Sequence, residues 1–389
     1  MPGKTGKNRE DYKKNNRGLA LQLIATGTCK TRSELTQAMG LSKMAISRIV
    51  SEMMNMGLLY EENPVGSEEP GRTAAMIGIS PEAPVSAGLL IQREYCEAVI
   101  CDLNLNVLRR EKVFYGPVMN AERLMEYVYE VLDTVLFQQS EVTGIGVCSV
   151  GPVSSSRGVI MKPLFFYDIE NVPVVELLEK RYHLPVLLDH DNQSAAVCEH
   201  LYGNGRGFQD ILFLGVGTGV GCGIISGGHR YSNERGLPPE IGHVSIDVNG
   251  KPCPCGSRGC VEAYTRTTEI LQKLQYHTRK HYNYKTFCSM KGDAGVESIL
   301  NDMVTKLGGA VVSTINIVNS ELLILGNDAI FWDEAYVDRM EKLINERRFV
   351  EWSDPVKVTK SFFGKDAFVV GAACRIWEHV FNGNLLFED

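Results

Sequence analysis

The chain has 389 residues, 44% hydrophobic and 22% charged, with a net charge of −7; at roughly 100–200 residues per domain this predicts two or three domains with ample cores. No apolar run approaches the ~20 residues of a bilayer span, and the basic N-terminus leads into no apolar stretch of the signal-peptide kind. Eleven cysteines are too sparse, and odd in number, for a disulfide framework, so a cytoplasmic protein with reduced thiols is expected and membrane, collagenous and small secreted classes are excluded.

Charge is unevenly placed. Residues 1–60 hold ten Lys/Arg against four acids, and the remainder thirty against forty-three. A basic head on an acidic body predicts that the head alone meets a polyanion; the alternative is a solvated basic tail.

After a basic arm, Leu19, Leu21, Leu23 and Ile24 lie in a breaker-poor stretch that reads as a first helix ending near Gly27. Thr31-Arg32-Ser33-Glu34 is a capping box, in which hydroxyl and carboxylate satisfy each other's orphan amides. Its helix carries Leu35, Ala38 and Met39 and stops at Gly40. Ser42 then caps a third helix with Ile46, Ile49 and Val50 inward. Two short helices joined by a Gly-containing turn form a helix-turn-helix, whose second helix can enter the major groove of DNA. Ser42, Lys43, Ala45, Ser47 and Arg48 are the expected DNA contacts. A strand starting at Gly57–Tyr60 and a return over Thr73–Ile79 enclose a loop of wing type, residues 61–72, in which Arg72 can reach a minor groove or phosphate. The alternative for this head is a small helical docking or dimerisation domain.

A linker-like Ser80-Pro81-Glu82-Ala83-Pro84 follows. Val85–Ile91, Glu97–Asp102 and Val107–Phe114 read as consecutive strands, then a helix near Ala121–Gln138, strands Ile145–Ser149 and Pro185–Leu188, and a helix over Asn192–Tyr202. The pattern restarts at Asp210 with strands Ile211–Val216, Gly219–Ser226 and His229–Tyr231. A small-residue helix Lys306–Asn319, a strand Leu322–Leu325 and a last helix from Val370 complete it. The expectation is an α/β chain with a winged head over 1–80, a first lobe over 84–200 onto which 370–389 packs back, and a second lobe over 201–369. Clefts between lobes are where small ligands usually sit.

His243, Cys253, Cys255 and Cys260 complete a tetrahedral Zn2+ site of Cys3His type, with Gly256 and Gly259 letting the loop wrap tightly. The alternative is a free-thiol loop with an unrelated histidine. Glu240 and Glu262 flank this loop, and Asp189-His190-Asp191-Asn192 ends an apolar strand where a sharp exit exposes side chains. Carboxylates, an imidazole and amides together suit a polyhydroxylated ligand, and one carboxylate can serve as general base; taken singly, each acid reads better as a solvated surface charge. Gly215, Gly217, Thr218, Gly219, Gly221 and Gly223 form a glycine-rich run whose amides can cradle a phosphate, although it matches neither the P-loop nor the dinucleotide fingerprint.

Together, the winged head, Gly146–Val153, Asp189–Glu199, Gly217-Thr218-Gly219, Glu240–His243, Cys253–Glu262, Ile315–Asn319 and Gly371–Ala373 resemble the ROK family over nearly the whole chain. That family comprises bacterial sugar-responsive repressors and sugar kinases on a two-lobed actin-like ATPase (ribonuclease H-like) fold. The resemblance implies that Glu240, His243 and Glu262 hold a sugar, that His243 and the three cysteines bind zinc, and that Asp191 occupies the position of the kinase base. His190 stands where family members usually carry a sugar-contacting asparagine. The kinases' Asp-x-Gly-Gly-Thr-like phosphate hairpin is replaced by Leu90-Ile91-Gln92-Arg93-Glu94-Tyr95. This turn has no glycine, and its Glu94 is expected to face the phosphates and outweigh Arg93. Gly326-Asn327-Asp328 also lacks the paired glycines of a nucleotide pocket. ATP is therefore not expected and Asp191 is a vestige. The resemblance implies a non-enzymatic cytoplasmic bacterial regulator, most simply a repressor. It would bind double-stranded operator DNA as a homodimer or homotetramer and take a sugar effector at His190, Asp191, Glu240, His243 and Glu262. The alternative is an ATP-dependent sugar kinase.

Overall fold

The computed structural model describes residues 9–62, 75–139, 141–233, 235–349 and 354–387. It opens with three helices, α1 (Arg9–Ala25), α2 (Arg32–Met39) and α3 (Lys43–Asn55), and a ribbon of β1 (Leu59–Glu62) antiparallel to β2 (Met76–Ile79). The capping box at Thr31 forms as expected, and α2 ends in a left-handed Gly40 at φ 64°. Ser42 caps α3 by accepting the amide of Ala45 at 3.2 Å. Ile46, Ile49, Val50 and Met53 are buried on the inward face of α3. The first helix begins at Arg9, ten residues before Leu19, so the described part of the arm is helical. No proline lies between Arg9 and Gly27, and lysines, arginines and glutamate have good helix propensity. The loop expected to carry Arg72 lies outside the described residues.

The body repeats one topology twice. First come β3 (Val85–Ile91), β4 (Tyr95–Cys101), β5 (Val107–Phe114), α4 (Ala121–Leu136), β6 (Val142–Ser149), the short pair β7 (Val153–Ser154) and β8 (Val159–Ile160), α5 (Val174–Tyr182), β9 (Val186–His190) and α6 (Asp191–Tyr202). Then follow β10 (Ile211–Val216), β11 (Val220–Ser226), β12 (His229–Arg230), α7 (Glu262–Thr265), α8 (Thr267–Thr278), α9 (Tyr284–Cys288), α10 (Ala294–Val318), β13 (Leu322–Asn327), α11 (Glu334–Arg347), β14 (Lys357–Lys360) and α12 (Ala367–Phe381). The first sheet has the order β5-β4-β3-β6-β9 and the second β12-β11-β10-β13-β14. In each, an antiparallel meander is extended by two parallel strands. The duplicated α/β pattern read from the sequence is therefore present.

Two boundaries differ in ways that matter. The small-residue helix α10 starts at Ala294, where Asp293 accepts the amides of Gly295 and Val296, and so is a full 25-residue element. The strand expected to stop at Leu188 continues to His190 and runs straight into α6. Asp189, His190, Asp191 and Asn192 are consequently buried, not exposed by a sharp exit, because no loop separates strand from helix.

Helix α12 lies across β3 and β6 and against α6, and α1 of the head packs on it in turn. The approach is close: a Cβ on Gly146 would fall 1.8 Å from the carbonyl oxygen of Ala372. Only glycine permits that spacing, so this strand position ties sheet and helix together. One apolar core runs continuously from Leu21, Ile46 and Met53 of the head to Trp377 and Phe381 of α12 and Phe213 of the second sheet. Among the described residues no helix is long and apolar enough to cross a membrane.

Candidate functional site

The two sheets flank a cleft that is open to solvent. His190, Asp191, Glu240, His243 and Glu262 all line it, so the five residues proposed for sugar contact converge although they are spread over more than seventy positions. β9 and α6 supply the first two, the short turn Ile241–His243 and its preceding residue supply Glu240 and His243, and α7 opens with Glu262.

The carboxylates are held by fixed donors. Asp191 Oδ1 accepts the backbone amide and the side-chain amide of Asn192, both at 2.7 Å, and Oδ2 accepts Gln92 Nε2 at 2.9 Å. Glu262 Oε2 accepts the amide of Val220 at 2.8 Å. Glu240 is open to water within the cleft yet surrounded by protein, and this enclosure pushes its carboxyl above the ordinary range. The nearby His190 and His243 oppose that rise, while Glu262 and Asp191 add to it. The His190 ring is buried and its Nδ1 has no hydrogen-bond partner. A set of fixed carboxylate acceptors beside an imidazole, whose Nδ1 lies 3.5 Å from Asp191 Oδ1, is suited to hydroxyl groups, each of which donates once and can also accept.

The turn between β3 and β4 departs from the sequence expectation. Glu94 is exposed and does not line the cleft; Gln92 and Arg93 do. The expectation that Glu94 repels phosphates is therefore corrected. At a tight hairpin neighbouring side chains diverge, and here Gln92 and Arg93 take the inward positions. Gln92, missed in the sequence, occupies Asp191. Its signal was available only as a polar residue standing in a turn expected to carry glycines.

His243, Cys253, Cys255 and Cys260 bring four ligand atoms within 4.8 Å of one another. Cys253 Sγ lies 3.7 Å from His243 Nδ1, and Cys255 Sγ lies 3.7 Å from Cys260 Sγ. A bonded disulfide is about 2.05 Å, whereas the edge of a tetrahedron with metal–sulfur bonds of about 2.3 Å is about 3.8 Å. Two edges of the quartet thus match those of a tetrahedral metal site, and its donor set suits zinc. With Nδ1 turned to the thiols, the rest of the ring borders the cleft.

In the head, Lys43 and Arg48 are exposed, Ser42 serves as N-cap, and Ala45 and Ser47 are half-buried. The outward face of α3 is centred on Met44, 83% exposed, with Arg48 one turn on. Helical spacing places Met44 opposite Ile46, Ile49 and Val50, and the sequence reading did not include it among the expected DNA contacts. Arg48 Nε lies 3.7 Å from Glu52, which also pairs with Arg17 at 2.8 Å. Arg32 faces inward: it pairs with Glu61 at 2.8 Å and donates to the carbonyl of Ser47 at 3.1 Å.

Comparison with known proteins extends these observations. The xylose repressor of Bacillus subtilis (strain 168) is 23% identical over 372 residues, covering 94% of this chain and 96% of its own. The glucokinase of Thermotoga maritima is 28% identical over 274 residues, covering 66% of this chain and 85% of its own. The crystal structure of a ROK family transcriptional regulator, a homolog of the Escherichia coli MLC protein, superimposes with a TM-score of 0.80 at 23% identity, over 97% of this chain and 98% of that one. This likeness establishes the same fold, the mixed α/β arrangement of the actin-like ATPase type. The ROK family profile matches residues 87–378, most of the body described above, and the chain belongs to the ROK family.

Proposed function

We propose that this chain is a sugar-responsive transcriptional repressor. Its first three helices and ribbon act as a winged helix-turn-helix that binds operator DNA, and the inter-lobe cleft takes the effector. The carrying observation is the β3–β4 turn, where Gln92 occupies Asp191 Oδ2 at 2.9 Å. Both oxygens of Asp191 accept hydrogen bonds from neighbouring side chains or backbone, and no glycine in this turn lets backbone amides approach a nucleotide. Relatedness to a xylose repressor along both head and body supports the same assignment.

In this proposal Ser42, Lys43, Ala45, Ser47 and Arg48 meet DNA, joined by Met44 and by Arg72 of the wing. A second copy places another α3 on a half-site about 34–36 Å away, or a multiple of that. His190, Asp191, Glu240, His243 and Glu262 hold the sugar. Zinc held by His243, Cys253, Cys255 and Cys260 would tie residues 243–262 into one unit, so that two of the sugar contacts share a rigid support. Effector and operator are coupled through α12, which touches α6 beside the cleft and α1 of the head; by linkage, each ligand changes the other's affinity by one factor.

The test is a pair of variants with two readouts. Arg48→Ala is expected to weaken DNA binding at least tenfold, about 1.4 kcal/mol, with sugar still bound; Glu240→Ala is expected to weaken sugar binding similarly, with DNA still bound. Loss of both activities in both variants contradicts the division of labour, and sugar-dependent ADP formation in a coupled assay would favour a kinase.

A further inference from the structure

Beside the cleft, four ionisable side chains from three separate parts of the chain meet. Asp189 lies near the end of β9 in the first sheet, Arg230 on β12 at the edge of the second, and Arg375 and Glu378 about one turn apart on α12. Arg230 Nη2 donates to Asp189 Oδ2, and Arg375 Nη1 donates to Glu378 Oε2 at 2.7 Å. Cross pairs close the group: Arg230 Nη1 lies 3.8 Å from Glu378 Oε2, and Arg375 Nε 4.0 Å from Asp189 Oδ2. Two cations thus face two anions, and none of the four side chains is more than 18% exposed. Even so, the Nε atoms of both arginines are buried without a hydrogen-bond partner among the described residues.

The group touches the candidate sugar site directly. Asp189 Oδ1 accepts the backbone amide of His190 at 2.8 Å. His190 lines both the cleft and a second, smaller crevice that Asp189 and Arg230 also line. Its ring has little room to move: a Cβ on Gly151 would fall 2.8 Å from its Cδ2, and one on Gly221 3.3 Å from its Cε1. On the other side, Glu378 lies about one helical turn before Phe381, whose carbonyl oxygen would be 2.2 Å from a Cβ on Gly18 of α1.

Buried charges are a poor way to hold three elements together. Their attraction does not reliably return the hydration they lose, and apolar side chains of similar volume often stabilise as well or better. A buried donor without a partner adds to the cost. What the four charges supply is a specific tie among β9, β12 and α12, with two unused donors that a second arrangement of the lobes can pair. We propose that Arg230 is a positioning residue for the response to effector: by holding Asp189 and Glu378 from the second sheet, it makes a change at His190 felt at α12 and so at α1. This rests on the regulator assignment above and names the side chains through which the cleft acts on the head. It requires that both ligands bias one two-state element, which a coupling measurement tests.

The experiment compares full-length wild type and variants at one salt concentration. It measures affinity for a fragment selected from the protein's own genome, with and without each of a panel of common aldoses and N-acetylhexosamines, and sugar affinity without DNA by calorimetry. In the wild type one sugar is expected to shift DNA affinity at least tenfold. In Arg230→Met that shift should fall below about threefold, while DNA affinity without sugar and sugar affinity without DNA each stay within about threefold of wild type. Arg230→Lys, which keeps the charge, should restore most of the shift. Arg375→Met combined with Glu378→Gln removes the α12 side of the group and leaves Asp189 and Arg230 in place; it should lose the shift as well, and it serves if Arg230→Met fails to fold. A shift that stays at least tenfold in these variants overturns the inference and leaves the regulator assignment standing. So does a shift lost only together with sugar binding, because the arginine then merely supports the site. A wild type whose DNA affinity no sugar changes overturns both.

Discussion

Individual residues at the junction of head and body show how narrowly the contacts are drawn. Gly18 of α1 sits where an added Cβ would fall 2.2 Å from the carbonyl oxygen of Phe381, so any larger side chain must push α1 away from α12. Gly18→Val is expected to cost about 1–3 kcal/mol through overpacking, because valine brings little of the ~1 kcal/mol that alanine gains over glycine in a helix. Urea unfolding of the full chain measures it; a variant as stable as the wild type would contradict the close approach. Arg32 is the second such position. Counted from sequence as part of the basic head, it instead clasps α2 to β1 through Glu61 and to α3 through the carbonyl of Ser47. The hydrogen bond from Arg32 holds Glu61 below its ordinary value of 4.5. A carboxylate depressed in the folded state contributes stability above its unfolded pKa and loses it as pH falls through the folded value. Arg32→Ala should therefore cost about 1–2 kcal/mol near neutral pH, with the difference from wild type shrinking as pH is lowered below the ordinary carboxylate value. A difference that grows on acidification would contradict the clasp.

Elements were legible in the sequence wherever local chemistry decides them. The capping box at Thr31, the N-cap at Ser42 and the left-handed Gly40 each need only three or four neighbouring residues, and all three formed. The meanders were legible because apolar runs separated by short polar turns mark paired strands. Elements set by distant contacts were not. α5, α8 and α11 left no mark in the reading, since their apolar positions gain meaning only against a sheet formed by remote strands. The burial of Asp189–Asn192 was hidden for the same reason: four polar residues in a row look like a surface, and only the second lobe encloses them. The metal quartet lies between these cases, because its cysteines are adjacent in sequence while His243 joins them across a loop. Chelation tests this element. With the metal removed, residues 243–262 should become sensitive to limited proteolysis and sugar affinity should fall, since Glu240, His243 and Glu262 border the same loop. Unchanged proteolysis and unchanged affinity after verified metal removal would contradict that coupling.

At the scale of the whole molecule, the convergence of the site was legible only in part. Sequence motifs nominated His190, Asp191, Glu240, His243 and Glu262, but their meeting in one cleft depends on the duplicated topology. The strand-to-helix junction of the first half thereby faces the turns of the second. The inward pair Gln92 and Arg93 shows the limit most clearly: which residues of a hairpin point into a cleft is set by its twist and register, and the sequence reading placed Glu94 there instead. The head and the body also share one apolar core through α1 and α12, so a change in lobe arrangement has a packed route to the helices proposed to bind DNA, as a two-state coupling requires. The most direct test of that central claim is a DNA-binding titration of the full-length protein at one stated salt concentration. It uses fragments selected from the protein's own genome, without ATP, and is repeated across a panel of sugars. The account predicts a specific fragment whose affinity one member of the panel shifts at least tenfold; binding that stays uniform among fragments, salt-sensitive and indifferent to every sugar would contradict it.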